Sequence, residues 1–210
     1  MHLHEPILCP VSVSAGRLGQ ATGRYTKQLS DLNGLYEDQS AFTSALTKGD
    51  ATVYEVTDHR PSAAAGDLIF GVTRMEPGRI GDEFYLTRGH IHVRADRPEI
   101  YYGEAGQGVM LLESPQGAIR ALSIGPRDIC YVPPFWIHRS VNVGSTELVM
   151  TFVYPADSGQ DYAIIERAGG MRQRVVADGD GWTLRENAAY RPRSVEEIAA
   201  LYAANTNNGS

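Results

Sequence analysis

From Val53 to Tyr154 the chain is a succession of short β-forming runs, each ended by glycine or proline, and few architectures accept such a pattern. Val53, Glu55 and Thr57 alternate with Tyr54, Val56 and Asp58, and Leu68 to Met75 follows as a second run. Pro77-Gly78 and Gly81-Asp82 break the chain before an extended stretch from Phe84 to His92, and Glu99 to Tyr102 resumes it. Gly103 to Gly108 turns into Val109 to Glu113. Further runs lie at Ala118 to Ile124, Asp128 to Val132 and Leu148 to Tyr154. Strands this short and this frequent predict an all-β sandwich or barrel. No repeat of about 20 to 50 residues recurs, which sets solenoids and propellers aside.

The flanks read differently. Residues 1–23 mix prolines, glycines and short apolar runs such as Pro6-Ile7-Leu8, and predict an extended arm able to pair with a sheet edge or with another subunit. From Tyr25 to Leu46 the pattern predicts helices: Leu29, Leu32 and Leu35 recur every third residue, Gly34 interrupts, and Gln39 to Leu46 makes a second short helix. Beyond Tyr162 the dense apolar strands stop, but Arg174-Val175-Val176 and Trp182-Thr183-Leu184 predict a hairpin around Asp178-Gly179-Asp180-Gly181. Ser194-Val195-Glu196-Glu197 has the form of a capping box opening a helix to Ala204, and Asn205 to Ser210 has nothing to bury. The expected organisation is a single domain: arm and helices over 1–50, barrel over 51–165, hairpin and helix over 166–210.

Within the β region, Gly89-His90-Ile91-His92 places two imidazoles two residues apart, which on an extended chain sends both to one face. A turn through Asp96 to Pro98 would return Glu99 to the pair, and His138, on a later apolar strand, could close the set from across the sheet. Three histidines and a carboxylate form a mixed nitrogen and oxygen site, which suits Fe, Mn, Ni, Zn or Co better than Ca or Mg. The chain has six histidines. His2 and His4 stand near the start and His59 in a polar stretch, so the other three cluster around Glu99.

A formal charge of −6 argues against nucleic acid as a partner, since that needs a basic face. Cys9 and Cys130 are far apart, no basic start and apolar run marks a leader, and no uninterrupted apolar stretch approaches membrane-spanning length, so a reducing, cytoplasmic setting without a membrane is expected.

At this level of detail the motifs resemble those of cupins. Gly89-His90-Ile91-His92 with Glu99 and Gly103 is similar to the first cupin motif, and Pro133-Pro134-Phe135-Trp136-Ile137-His138 with Asn142 to the second. More narrowly, Gln28-Leu29-Ser30-Asp31, Val53-Tyr54-Glu55-Val56, Thr87-Arg88-Gly89-His90, Asp96-Arg97-Pro98-Glu99-Ile100-Tyr101 and Tyr154-Pro155-Ala156-Asp157 resemble the cupin-type glucose-6-phosphate isomerases. The resemblance implies a double-stranded β-helix, or jelly-roll barrel, in a homodimer. It also implies His90, His92, Glu99 and His138 as ligands to iron(II) or another divalent ion, with Mn(II), Ni(II), Zn(II) and Co(II) as the alternatives. A phosphate pocket is implied from Thr73, Thr87, Gly89, Tyr154, Gln160 and Tyr162, with Arg88 as a nearby positive charge. Gln160 is a departure, since histidine often stands there in the family and glutamine cannot carry a proton.

Aldose–ketose isomerisation of glucose 6-phosphate to fructose 6-phosphate moves a proton between C2 and C1 and needs a base over those carbons and a stabiliser for the charge developing on their oxygens. Glu99 is the first choice of base. Tyr101, two residues on along a strand, is the second catalytic candidate, as donor to the sugar oxygens or proton carrier. A hydride shift from C2 to C1 would use the same ligands. Arg88, Arg94 and Arg97 beside the histidines suit a dianionic sugar phosphate, although Arg94 and Arg97 also read as a solvated rim. Epimerisation or isomerisation of mannose 6-phosphate, a cupin dioxygenase and a non-catalytic sugar-binding cupin are the rival functions; a complete ligand set argues against the last.

Overall fold

The computed structural model describes residues 5–203. In chain order the strands are β1 (Val11–Ser12), β2 (Arg17–Leu18), β3 (Gly23–Gln28), β4 (Thr52–His59), β5 (Leu68–Met75), β6 (Arg79–Ile80), β7 (Glu83–Phe84), β8 (Glu99–Ala105), β9 (Gly108–Glu113), β10 (Ile119–Ile124), β11 (Ile129–Val132), β12 (Ile137–Asn142), β13 (Leu148–Pro155), β14 (Gln173–Asp178) and β15 (Gly181–Glu186). Helices α1 (Gln39–Lys48), α2 (Ala163–Arg167) and α3 (Val195–Ala203) complete it, with a turn of 3-10 helix at Leu29–Leu32. The protein is mostly β, as the punctuated pattern predicts.

Three antiparallel sheets carry the molecule. Six strands run in the order β11-β8-β13-β5-β4-β3, three in the order β10-β9-β12, and four in the order β15-β14-β7-β6. They face one another without closing into a continuous barrel, and a large apolar cluster fills the space between them, with Leu32, Met110, Leu111, Ile137 and Met150 at 0–1% exposure, while a smaller one of Leu18, Val72 and Val149 lies apart from it. Each such side chain contributes about 1.5–3 kcal/mol by leaving water. Strands β9 and β12 are buried along their whole length. Asn142, closing β12, satisfies its buried amide by donating to the carbonyls of Met75 and Thr146 at 3.1 and 2.9 Å, and it accepts from the Gly144 amide at 3.0 Å. That ties the small sheet to the large one.

One flanking expectation needs correction. Residues 23–28 form the edge strand β3, paired with β4 from Gly23↔Asp58 onward, not the start of a helix at Tyr25. The leucine spacing is satisfied by one helical turn at Leu29–Leu32, and the chain then turns at Gly34, whose φ is +83°. Only α1 is a true helix there; Asp38 caps it by accepting from the Ala41 amide at 2.8 Å, and Phe42 is its buried anchor. The described part of the arm reaches the edge of β4 only at its end, where Gly23 pairs with Asp58. Strands β1 and β2 fold into a hairpin over β4 and β5, with the Leu18 amide donating to Thr57 Oγ1 at 2.9 Å and Arg17 and Arg24 gripping buried Glu55. His2 and His4 lie outside the described residues.

At the other end, the hairpin β14–β15 forms as predicted and joins β7 through Val176↔Glu83. The capping box also forms: the Ser194 amide donates to Glu197 Oε2 at 2.7 Å and the Glu197 amide to Ser194 Oγ at 3.2 Å. Fully buried Glu113 on β9 anchors the segment before it, accepting from Arg193 Nη1 at 2.6 Å, Tyr190 Oη at 3.0 Å and the Arg172 amide at 2.7 Å. Helix α2 has no counterpart in the sequence reading. Ala204 and the tail Asn205 to Ser210 lie outside the described residues. No helix among the described residues is long and apolar enough to cross a membrane.

Candidate active site and metal centre

The stretch carrying His90 and His92 is not a regular strand. Residues 85–92 are held by single bridges, Leu86↔Val141, His90↔His138 and Ile91↔Asp161. The cause is Gly89: its φ is +74°, and a Cβ there would press on Ile165 Cδ1 at 2.8 Å and Arg139 Cβ at 2.9 Å. The chain kinks, the ladder is interrupted, and the His90 and His138 amides exchange hydrogen bonds at 3.0 and 2.9 Å. The alternation survives, because both imidazoles are buried and their ring centroids lie 5.4 Å apart. After a tight turn closed by the Arg97 amide on the Arg94 carbonyl, Glu99 opens β8 facing them.

One ligand atom from each of His90, His92, Glu99 and His138 lies within 4.8 Å of all the others, and all four residues are buried. Their tautomers follow from what the other ring nitrogens meet. His92 Nδ1 lies 2.8 Å from the Arg97 carbonyl and His138 Nδ1 3.0 Å from the Trp136 carbonyl. A carbonyl only accepts, so both Nδ1 atoms carry hydrogen and both Nε2 lone pairs are left for the centre, as for a metal-ligating imidazole. Glu99 Oε2 is 2.9 Å from His138 Nε2, 3.3 Å from His92 Nε2 and 3.8 Å from His90 Nε2. The buried Nε2 atoms of His90 and His92 have no hydrogen-bond partner. Two orphaned donor atoms beside a carboxylate fit a divalent cation that takes nitrogen and oxygen ligands.

The electrostatics are those of a crowded acid and three bases. Burial would raise the Glu99 carboxyl, but the imidazoles of His138 and His92 packed against it outweigh that and hold the group well below the usual carboxylate range. Burial, assisted by His138, pushes His90 well below an ordinary imidazole; His92 is also penalised by burial, yet Glu99 outweighs that and raises it. The Tyr101 phenol is pushed far up by burial and by the charge and hydrogen bonding of Glu99 against it, so it stays a proton donor.

Above this floor opens a pocket walled by Thr73, Thr87, Gly89, Tyr154, Gln160 and Tyr162, together with His90, Glu99, Tyr101 and His138. His92 lies behind the lining, where it can reach only the centre. Burial lifts the Tyr154 phenol to about 12 and raises that of Tyr162, leaving both neutral donors. Tyr162 Oη donates to Gln160 Oε1, and Thr87 Oγ1 accepts from the Ser140 amide at 3.0 Å. The Arg88 side chain is not part of the wall: it turns onto Glu166, with its guanidinium carbon 4.9 Å over the Tyr162 ring. Arg94 and Arg97 grip Asp157, with Arg97 also on Asp96. They are not a free basic rim. They fasten the turn before Glu99 to the chain after β13.

The sequence reading missed the opposite wall, Tyr25, Tyr54, Asp58, Arg60, Arg139 and Ser140. Its one signal was Asp58, a carboxylate on the same strand face as the apolar Tyr54 and Val56.

Fold and site define a class: a mostly β protein with a buried cluster of three histidines and one carboxylate, able to hold a metal ion, under a hydroxyl-lined pocket. The family model described as glucose-6-phosphate isomerase (GPI) matches residues 26–193, and the chain belongs to that family. It is similar to glucose-6-phosphate isomerase of Sinorhizobium medicae, 56% identical over 202 residues covering 95% of this chain and 94% of that one. Putative glucose-6-phosphate isomerase 2 of Rhizobium meliloti is 64% identical over 178 residues, covering 84% and 89%. Glucose-6-phosphate isomerase of Thermococcus litoralis is 35% identical over 191 residues, covering 91% and 100%.

Proposed function

We propose that this chain interconverts glucose 6-phosphate and fructose 6-phosphate, with Glu99 as the base that moves a proton between C2 and C1. The observation that carries this is the position of Glu99: it is the one carboxylate that belongs to the four-residue centre and also lines the pocket. A divalent ion held by His90, His92, Glu99 and His138, iron(II) in the first place, would supply Lewis-acid stabilisation of the charge developing on O1 and O2. Three imidazoles crowd Glu99 Oε2, and the other oxygen of the carboxylate is the one assigned to the substrate carbons, with Tyr101 beside the group. Tyr101 donates to the sugar oxygens, and its raised pKa keeps the proton available through the cycle. The phosphate is held by the hydroxyls of Thr73, Thr87, Tyr154 and Tyr162, the Gly89 amide and the Gln160 side chain. Burial of the centre at the pocket floor keeps bulk water from an enediolate formed between C1 and C2. The enzyme works as a cytoplasmic homodimer.

The test is anaerobic reconstitution of metal-stripped protein with Fe(II), Mn(II), Ni(II), Zn(II) or Co(II), one at a time, following fructose 6-phosphate conversion to glucose 6-phosphate. Activity should return with metal and be absent in His90→Ala. No turnover with any ion, with oxygen uptake in air on other small molecules, would overturn the assignment in favour of a dioxygenase.

A further inference from the structure

The pocket wall holds two guanidinium groups, Arg60 and Arg139. Arg139 is buried and donates to the Arg88 carbonyl at 2.9 Å. Arg60 is built into the wall in another way. Tyr54, Val56, Asp58 and Arg60 recur at every second residue of β4 and its continuation, and all four line the pocket. Arg60 Nε and Nη2 both donate to Asp58 Oδ2, at 2.9 and 2.6 Å. The backbone is pinned as well: the Arg60 amide donates to Thr22 Oγ1 at 2.9 Å, and the Thr22 amide to the Asp58 carbonyl at 2.8 Å.

The sheet makes room for this pair. Asp58 is 2% exposed, and its cross-strand partners are Gly23 on β3 and Gly71 on β5. A Cβ at Gly23 would collide with Asp58 Oδ1, and one at Gly71 would lie 2.9 Å from Asp58 Cβ. A buried carboxylate beside a pocket for an anion repels its own ligand unless its charge is spent on a cation. One edge of the Arg60 guanidinium is spent on Asp58, so Nη1 and the second Nη2 hydrogen remain as a fork for another oxyanion. Arg60 stands close enough to Tyr154 and Tyr162 for its charge to act on both phenols, the hydroxyls assigned to the phosphate. Arg88 also acts on Tyr162, from over its ring face, but it pairs with Glu166 and does not line the pocket, whereas Arg60 does.

We infer that Arg60, aimed by Asp58 in its glycine-flanked niche, is the cation that takes the substrate phosphate and sets the preference for a phosphorylated over a neutral sugar. This rests on the pocket being the sugar-phosphate site. Asp58 is a positioning residue, and Arg60 supplies the charge that Gln160 cannot.

The experiment is steady-state kinetics of metal-loaded enzyme with fructose 6-phosphate, plus inhibition by inorganic phosphate, for wild type, Arg60→Gln, Arg60→Lys, Asp58→Asn and Tyr162→Phe. The Arg60 side chain is 47% exposed, so shortening it opens no core cavity, and thermal unfolding of each variant together with Arg60→Lys, which keeps a cation beside buried Asp58, separates lost binding from lost folding. Arg60→Gln should raise KM and the phosphate inhibition constant together by about tenfold to hundredfold, with kcat within about threefold of wild type. Arg60→Lys should recover part of the loss. Asp58→Asn should raise both constants less than Arg60→Gln does, and should add little when combined with it. If Tyr162→Phe raises both constants and Arg60→Gln raises neither, the phosphate pocket stands and Arg60 is no part of it. If neither variant moves the inhibition constant, the phosphate binds elsewhere and the inference falls with the reading beneath it.

Discussion

Replacing Glu99 by glutamine separates its proposed role as base from its proposed role as ligand. The side chain is 2% exposed and glutamine has the same shape, so no cavity opens and the change is electrostatic. An amide oxygen can still face His138 Nε2, 2.9 Å from the present Oε2, and can still offer a lone pair to a cation. What glutamine cannot do is accept the substrate proton. A positioned general base contributes about 10²–10⁴-fold, so kcat for Glu99→Gln should fall by that factor, about 3–5.5 kcal/mol of barrier, with KM little changed. The assay is turnover of fructose 6-phosphate in deuterated water with metal content matched between samples, reading deuterium at C2 of glucose 6-phosphate by NMR. Wild type should incorporate solvent deuterium and the variant should not. Turnover of the variant within about threefold of wild type at equal metal content would refute the reasoning and turn the mechanism towards a hydride shift.

Three further outcomes are expected. Glu113→Ala, which leaves the Arg193 guanidinium without its buried partner, should lower unfolding free energy by about 3–5 kcal/mol in urea; a change under about 1 kcal/mol would show that the C-terminal segment is anchored otherwise. Gly89→Ala forces a Cβ onto Ile165 and Arg139 at φ +74°, and should cost about 1–3 kcal/mol of stability together with most activity, read by thermal unfolding and turnover. For metal-free protein, burial holds His90 below its unfolded pKa of about 6.5, so its contribution is present above that pH and is lost on acidification, when the unfolded chain takes up the proton first. His92 is raised and works in the opposite sense, so the comparison must be with His90→Asn: wild type should lose more stability than this variant between about pH 7 and 5, and parallel curves would contradict the assignment.

The sequence by itself determined the elements whose signals are local. Period-two alternation and glycine or proline breaks marked β4, β5, β9, β10, β11 and β13, and the reciprocal hydrogen bonds of Ser194 and Glu197 were legible as a capping box. His90, His92, Glu99 and His138 were legible as one centre because two of them sit two apart, a turn returns the third and an apolar strand carries the fourth. Other features were decided only by tertiary structure. The leucines after Tyr25 look helical, but the open edge of β4 recruits residues 23–28 as a strand, and pairing outweighs a three-residue spacing that one turn of helix satisfies. Arg88 reads as a charge near the pocket, and only the fold shows it over the Tyr162 ring and paired with Glu166, on a helix with no strong sequence signal. Arg60 looks like a loop residue until the registers of β3, β4 and β5 set Gly23 and Gly71 against Asp58 and clear the niche that aims it. Propensity acts over a few residues, while a pocket is the meeting of strands whose registers are fixed far apart in the chain; the ligands could therefore be read from spacing, and the charge on the opposite wall only from the fold.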